Sequence, residues 1–252
     1  MKKLNVIIFL VLSLSAWGQN ESIFDTATEA YNQGDFNKAI ESYLSIIEAG
    51  EHSAALYFNL GNSYYKLNQI APSIYYYEKA LLLKPNDSEI KNNLGYAQNM
   101  TLDAIDTIPQ TGFSKIYNDI IKFFFFDEWA LIAVIGIVLF VLLYLTFYFL
   151  RYASQKRFAF ILSLVALFIA IVAVVIAFLQ YNEFKADQPA IIFDSEVSVK
   201  SEPNKRSQQV FQLHEGTKVQ VLEELNDWNK IKIADGQIGW LPSESIKTLK
   251  DF

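Results

Sequence analysis

The sequence predicts a multidomain membrane protein: an all-α repeat solenoid, a two-helix transmembrane hairpin and a small all-β barrel. Three observations carry this. Two uncharged apolar runs, Ala130–Leu150 and Phe158–Leu179, are separated by the basic segment RYASQKR. Upstream, two segments align at an offset of about 34 residues, a helical-repeat period. Downstream, residues 190–250 alternate apolar and polar positions between Gly-containing turns.

The hairpin gives the strongest signal, with spans assigned to residues 129–150 and 158–180. A helix of about 20 apolar residues, rising ~1.5 Å per residue, crosses a hydrocarbon core of roughly 30 Å. The loop, 151–157, holds Arg151, Lys156 and Arg157 and no acid, whereas Asp127 and Glu128 precede the first span and Glu183 follows the second. By the positive-inside rule the loop is cytoplasmic and both long flanks lie across the membrane. In the second span Ser163, Ala166, Ala170, Ala173 and Ala177 recur at alternating steps of three and four. That stripe of small side chains either packs the hairpin, with Ala133 and Gly136 opposite, or docks a partner's helix.

Composition narrows the function classes. The 252 residues include no Cys, which excludes disulfides, thiol catalysis and cysteine metal sites. A net charge of −6 without a basic stripe argues against nucleic-acid binding. Residues 1–18 read as a secretory signal: Lys2 and Lys3, an apolar core from Leu4 to Leu14, then small residues flanking Trp17, with cleavage expected before Gln19. Export of the chain beyond Gln19 agrees with the orientation set by the basic loop.

Residues 20–101 carry the repeats. In the first, Ala27, Tyr31, Gly34, Phe36, Ala39 and Tyr43 set the pattern; in the second, Tyr57, Leu60, Gly61, Tyr64, Ala80 and Pro85 do. Small residues let paired helices approach and large ones fill the gaps. The phrases NQGDFNKAIESY, YFNLGNSYYKL and YYYEKALLLKPND resemble the tetratricopeptide repeat. The chain departs from that pattern at Asn68, where glycine is usual, at Ser73, where alanine is usual, and at Glu51, which replaces the first repeat's proline. A third unit has one helix only, SEIKNNLGYAQNMTL, which reads as a cap. So short an array calls for self-association or support from elsewhere in the chain. The resemblance implies a concave, partner-binding face on the first helices, here Phe24, Tyr31, Phe58, Asn62, Tyr65, Tyr96 and Asn99. That face has little positive charge, so a clamp for acidic tails is not expected.

Residues 102–128 comprise a linker, 102–113, broken by Pro109 and Gly112, and an amphipathic segment from Phe113 to Phe126 that suits the membrane interface. Beyond the second span, strands are expected at Val197–Lys200, Gln209–Leu213, Lys218–Glu223, Trp228–Ala234 and Ile238–Leu241, with Asp235-Gly236 as a hairpin turn. The phrases VSVKSEPNKRSQQVFQLHEGTKV and DWNKIKIADGQIGWLP resemble the bacterial SH3 domain. Trp228 and Trp240 are its candidate surface or core aromatics. His52 and His214 read as surface and turn residues.

No catalytic constellation is evident: no His cluster, no G-x-S-x-G, no Walker A loop. The expectation is a non-enzyme with no catalytic residues, metal or cofactor. The order of modules, with the segment NNLGYAQNMTLDAI, resembles the BatE proteins of the Bacteroides aerotolerance operon. That resemblance implies an inner-membrane scaffold with both globular parts in the periplasm. The implied partners are von Willebrand factor A-domain membrane proteins and, indirectly, a MoxR-type ATPase. The alternative is a sensor whose barrel binds peptidoglycan peptides.

Overall fold

The computed structural model describes residues 21–105 and 123–250, with Gly112, Tyr117, Ile120 and Ile121 between them. The signal segment lies outside the described residues, as does most of the segment from Phe113 to Phe126. The chain divides into two compact units: residues up to Ile108 joined with Gln188–Phe252, and Pro109–Asp187.

Among the described residues of the first unit, five helices follow one another. They are α1 (residues 21–32), α2 (Phe36–Glu48), α3 (Ala54–Lys66), α4 (Ile70–Leu83) and α5 (Ser88–Gln98). Side-chain oxygens start three of them, satisfying backbone donors that the first turn leaves orphaned. Asp35 accepts from the Lys38 N–H at 3.2 Å, Ser53 from Leu56 at 3.1 Å, and Asp87 from Glu89 and Ile90 at 3.0 and 3.2 Å. Pro72 falls in the first turn of α4, where a missing N–H costs nothing.

The departures at Asn68 and Ser73 have physical reasons. Gly34 and Asn68 close equivalent turns with φ of +84° and +57°. Asparagine is among the few non-glycine residues that tolerate this region. Ser73 is fully buried where α3 and α4 cross, and its hydroxyl donates to the Gly61 carbonyl at 2.9 Å. Gly61 leaves room for the Tyr77 ring; a Cβ there would lie 2.5 Å from it.

The C-terminal part is one antiparallel sheet in the order β3-β2-β6-β5-β4-β1-β7. The strands are β1 (Pro189–Ile192), β2 (Glu196–Lys200), β3 (Gln209–His214), β4 (Lys218–Leu225), β5 (Trp228–Lys232), β6 (Ile238–Pro242) and β7 (Ile246–Thr248). Gly236, at φ +91°, makes the β5–β6 turn, with Asp235 accepting from the Gln237 N–H at 2.9 Å. The sequence pattern marks five strands; β1 and β7 are additional. β1 is buried at every position, so it lacks the alternation that marks a strand. Its two faces have different neighbours: Ala190 and Ile192 enter the barrel core, while Ile191 joins the core of the repeats.

In the second unit, α6 (Phe126–Phe149) and α7 (Ala153–Ala186) are long and apolar enough to cross a membrane. Helix α7 begins inside the basic segment, leaving only Leu150–Tyr152 non-helical. Ser163, Ala166, Ala170 and Ala173 are buried, Ala177 is half-buried, and Ala133 and Gly136 are buried on α6. A Cβ on Gly136 would stand 2.9 Å from the Ala170 methyl, so close backbone approach sets the seam. At one end Gln180 Nε2 donates to the Ile121 and Phe124 carbonyls, both at 3.0 Å, and Trp129 Nε1 donates to Ile121 at 3.2 Å.

Two substitutions test these contacts. Ala170→Leu overpacks the seam and costs about 1–3 kcal/mol, read as a lower unfolding midpoint of the detergent-solubilised protein; an unchanged midpoint would remove the stripe from the seam. Asn68→Val costs about 1–2 kcal/mol, from the left-handed φ, whereas Asn68→Gly is tolerated, both read by denaturant unfolding.

Candidate partner-binding groove and the repeat–barrel seam

The first helices of the repeats line a cavity of about 330 Å³, walled by Tyr31, Asn62, Tyr65, Lys66, Tyr77, Glu89, Asn93 and Tyr96. The period explains the arrangement. Tyr31 and Tyr65 stand 34 residues apart on α1 and α3, and Tyr96 follows on α5. At the centre, Asn62 Oδ1 accepts from the Tyr77 hydroxyl at 2.7 Å and from Asn93 Nδ2 at 2.9 Å. Burial pushes the Tyr77 hydroxyl well above its ordinary range, so it stays protonated and donates. Among the described residues the Asn62 Nδ2 donors and the Asn93 Oδ1 acceptor keep no partner. A donor beside an acceptor complements a peptide unit, which offers one of each. Lys66 and Glu89 carry opposite charges.

Of the residues assigned to the concave face, the structure brings Tyr31, Asn62, Tyr65 and Tyr96 together here. Tyr96 is 63% exposed and available to a partner. Phe24 instead packs its ring 5.4 Å from that of Tyr43 and lines a separate hollow with Glu51, His52 and Leu56. Phe58 is partly buried against the repeat core, 5.9 Å from the Tyr77 ring. Asn99 is exposed at the end of α5, outside the cavity lining. The concave-face pattern does not include Asn93 or Tyr77. Tyr77 sits on a second helix, a packing position, and only its hydroxyl reaches the groove. Asn93 becomes visible once the capping helix is placed in register with the repeats.

The repeats and barrel meet along α4, in the same unit. Ile191 and Leu249, both fully buried, join Ile70, Ile74, Tyr75 and Ile90 in one apolar cluster. The Phe193 ring lies edge-on to Tyr75 at 5.6 Å, and the Tyr75 hydroxyl donates to the Thr248 carbonyl at 3.3 Å. Lys218 pairs with the buried Glu78 carboxylate at 2.7 Å.

Asp103, just beyond the capping helix, closes this seam. Its Oδ2 accepts from the His214 backbone N–H at 2.7 Å and from the Thr217 hydroxyl at 2.6 Å, and its Oδ1 meets His214 Nδ1 at 2.6 Å. His214, read from sequence as a turn residue, therefore bridges the two parts. Burial alone would raise the Asp103 carboxyl. The hydrogen bonds from Thr217 and His214, with attraction to the imidazole, outweigh it and hold the carboxyl below its usual value. His52, read as a surface residue, bonds the Tyr57 hydroxyl through Nδ1 at 2.6 Å.

On the barrel, Trp240 is 9% exposed on the strand face opposite the core cluster, and Lys230 Nζ lies over its ring at 5.7 Å. Trp228 is half-buried on the same face, paired with Leu225 and Pro242 in register.

Comparison with known families agrees with this division. Residues 54–87 match the tetratricopeptide repeat, and residues 195–247 match the bacterial SH3 domain. No curated protein matches the chain. The protein thus combines a helical tetratricopeptide region, two long apolar helices and an antiparallel SH3-like domain. Domains of these types imply protein partners.

The lowered Asp103 carboxyl fixes the sign of an acid effect. A depressed folded-state pKa contributes stability that is complete above the usual carboxylate value of 3.8 and is lost as pH falls through the folded value. Asp103→Asn should lower unfolding stability at pH 7 by about 1.5–3 kcal/mol, the range for hydrogen bonds to a charged group. It should also flatten the decline below pH 4 relative to wild type, checked by denaturant titrations across pH.

Proposed function

We propose that the protein is a non-enzymatic inner-membrane adaptor, held by its two apolar helices, that grips an extended protein segment in the tetratricopeptide groove. The observation that carries this reading is the Asn62–Asn93 pair, with its spare donor and acceptor between Tyr65 and Tyr96. The pair reads backbone, and the tyrosine rings offer stacking and apolar contact to side chains. The basic loop supports a two-pass topology with the repeats and barrel in the periplasm. Resemblance to the BatE proteins supports von Willebrand factor A-domain membrane proteins as partners, with a MoxR-type ATPase acting through them, and a role in aerotolerance.

Because repeats and barrel share one unit, a partner meets a single composite surface. The sequence alone suggests two modules held on one hairpin, which raises their effective concentration for a shared target. A second reading, in which the barrel binds peptidoglycan peptides, draws on the Trp228, Lys230 and Trp240 face. Retention of the full-length protein on purified sacculi, lost in Trp228→Ala, would favour it.

The test of the adaptor is affinity capture from native membranes in mild detergent, comparing wild type, a hairpin-only version and Asn62→Ala/Asn93→Ala. Wild type should retain von Willebrand-type membrane proteins. The double variant should lose them by about tenfold or more, the effect of roughly 1.4 kcal/mol. Equal retention by the hairpin alone would transfer the association to the membrane helices and overturn the groove assignment.

A further inference from the structure

The two flanks of the hairpin differ at the loop end. On one flank the Phe147 and Phe160 rings meet at 5.5 Å, with Lys156 Nζ 5.7 Å from Phe147. The other flank is open. There a cavity of about 450 Å³ runs between α6 and α7, lined by Leu143, Thr146, Leu150, Ser154, Phe158 and Leu162, among others. The spacings Leu143, Thr146, Leu150 and Ser154, Phe158, Leu162 each keep to one helix face.

The polar side chains gather towards the loop, where the cavity meets Ser154 and Gln155; along its length it is Leu, Phe and Ala, with Thr146 turning its hydroxyl to the Leu142 carbonyl at 2.8 Å. Arg151 lies in the three-residue connection between the lining residues Leu150 and Ser154. From Trp129 to Asn182 the sequence holds no acid, so Arg151 has no carboxylate within the hairpin to neutralise it. Arg157 lies two residues before the buried Ala159, hence on the opposite side of α7 from the seam.

We propose that this flank holds one anionic phospholipid, an acyl chain lying along Leu143–Leu150 and Phe158–Leu162 and the phosphate at Arg151, Ser154 and Gln155. An apolar slot ending in hydroxyl, amide and guanidinium groups complements an amphiphile with a negative head. The neutralised charge favours an anionic over a zwitterionic lipid. The proposal rests on the reading that α6 and α7 span a membrane.

The experiment is in two stages on the full-length protein. Alkaline carbonate extraction of membranes comes first: release into the supernatant would sink the spanning reading and this proposal with it. With the protein retained, native mass spectrometry from detergent comes second, titrating phosphatidylglycerol against phosphatidylethanolamine. The expected result is one phosphatidylglycerol retained per chain in preference to phosphatidylethanolamine. Arg151→Gln should weaken retention about fivefold, the effect of one basic residue at an anionic surface, and Arg157→Gln should weaken it less. Leu143→Trp, which fills the slot, should abolish it. Equal retention of the two lipids by wild type, or equal effects of Arg151→Gln and Arg157→Gln with Leu143→Trp unaffected, would overturn the site while leaving the spanning reading intact.

Discussion

The seam between α4 and the barrel is the contact on which the repeat–barrel unit depends. Short repeat arrays lose stability through their uncovered faces. Here the outer side of α4 is covered by β1 and the segment after β7. Ile191 and Leu249 are fully buried in the core of the repeats. Burying each such side chain contributes about 1.5–3 kcal/mol. The polar contacts around this apolar centre make docking specific. The Glu78 side chain is only 8% exposed, and without Lys218 its carboxylate would be left buried and unpaired. Asp103 has the same logic in a tighter form, since its desolvation is offset only while His214 and Thr217 are in place.

One tyrosine connects this seam to the groove. The Tyr77 ring lies in the same apolar cluster as Ile191 and Leu249, packed where Gly61 leaves no side chain. Its hydroxyl emerges on the other side of α4 and fixes Asn62. The orientation of the Asn62 carboxamide, and through it that of Asn93, therefore depends on how α4 is seated. The barrel helps to seat α4, so it contributes to the groove without lining it.

Much of this is legible in the sequence because the signals are periodic. Uncharged runs mark the apolar helices, the 34-residue spacing of Tyr31 and Tyr65 marks the repeats, and alternation marks the inner strands. The features that escape are set by contacts distant along the chain. β1 carries no alternation because Ile191 faces the repeats while Ala190 and Ile192 face the barrel. His214 resembles any turn histidine, since its partner Asp103 is 111 residues away. Phe24 and Asn99 fit the concave pattern by position, yet the first is drawn into packing against Tyr43 and the second falls past the groove's end. A repeat pattern specifies which helix a residue occupies more firmly than which neighbours it meets.

The hairpin gives the seam its last constraint. The repeats and barrel are joined covalently only through Pro109–Asp187, so without that segment their contact would be an association between separate chains. The segments leading into and out of the hairpin are rooted at the seam itself. Asp103 bonds Thr217, the Thr217 carbonyl accepts from the Ile192 N–H at 3.0 Å, and the Gln188 carbonyl accepts from the Val221 N–H at 2.9 Å. Tethering makes the contact between repeats and barrel intramolecular, which favours closure of even a modest interface. Apolar burial at Ile191 and Leu249 supplies the attraction, Asp103 and Glu78 supply the register, and the hairpin supplies the proximity. Through the Tyr77 hydroxyl, the seating of α4 fixes Asn62 and, through it, Asn93.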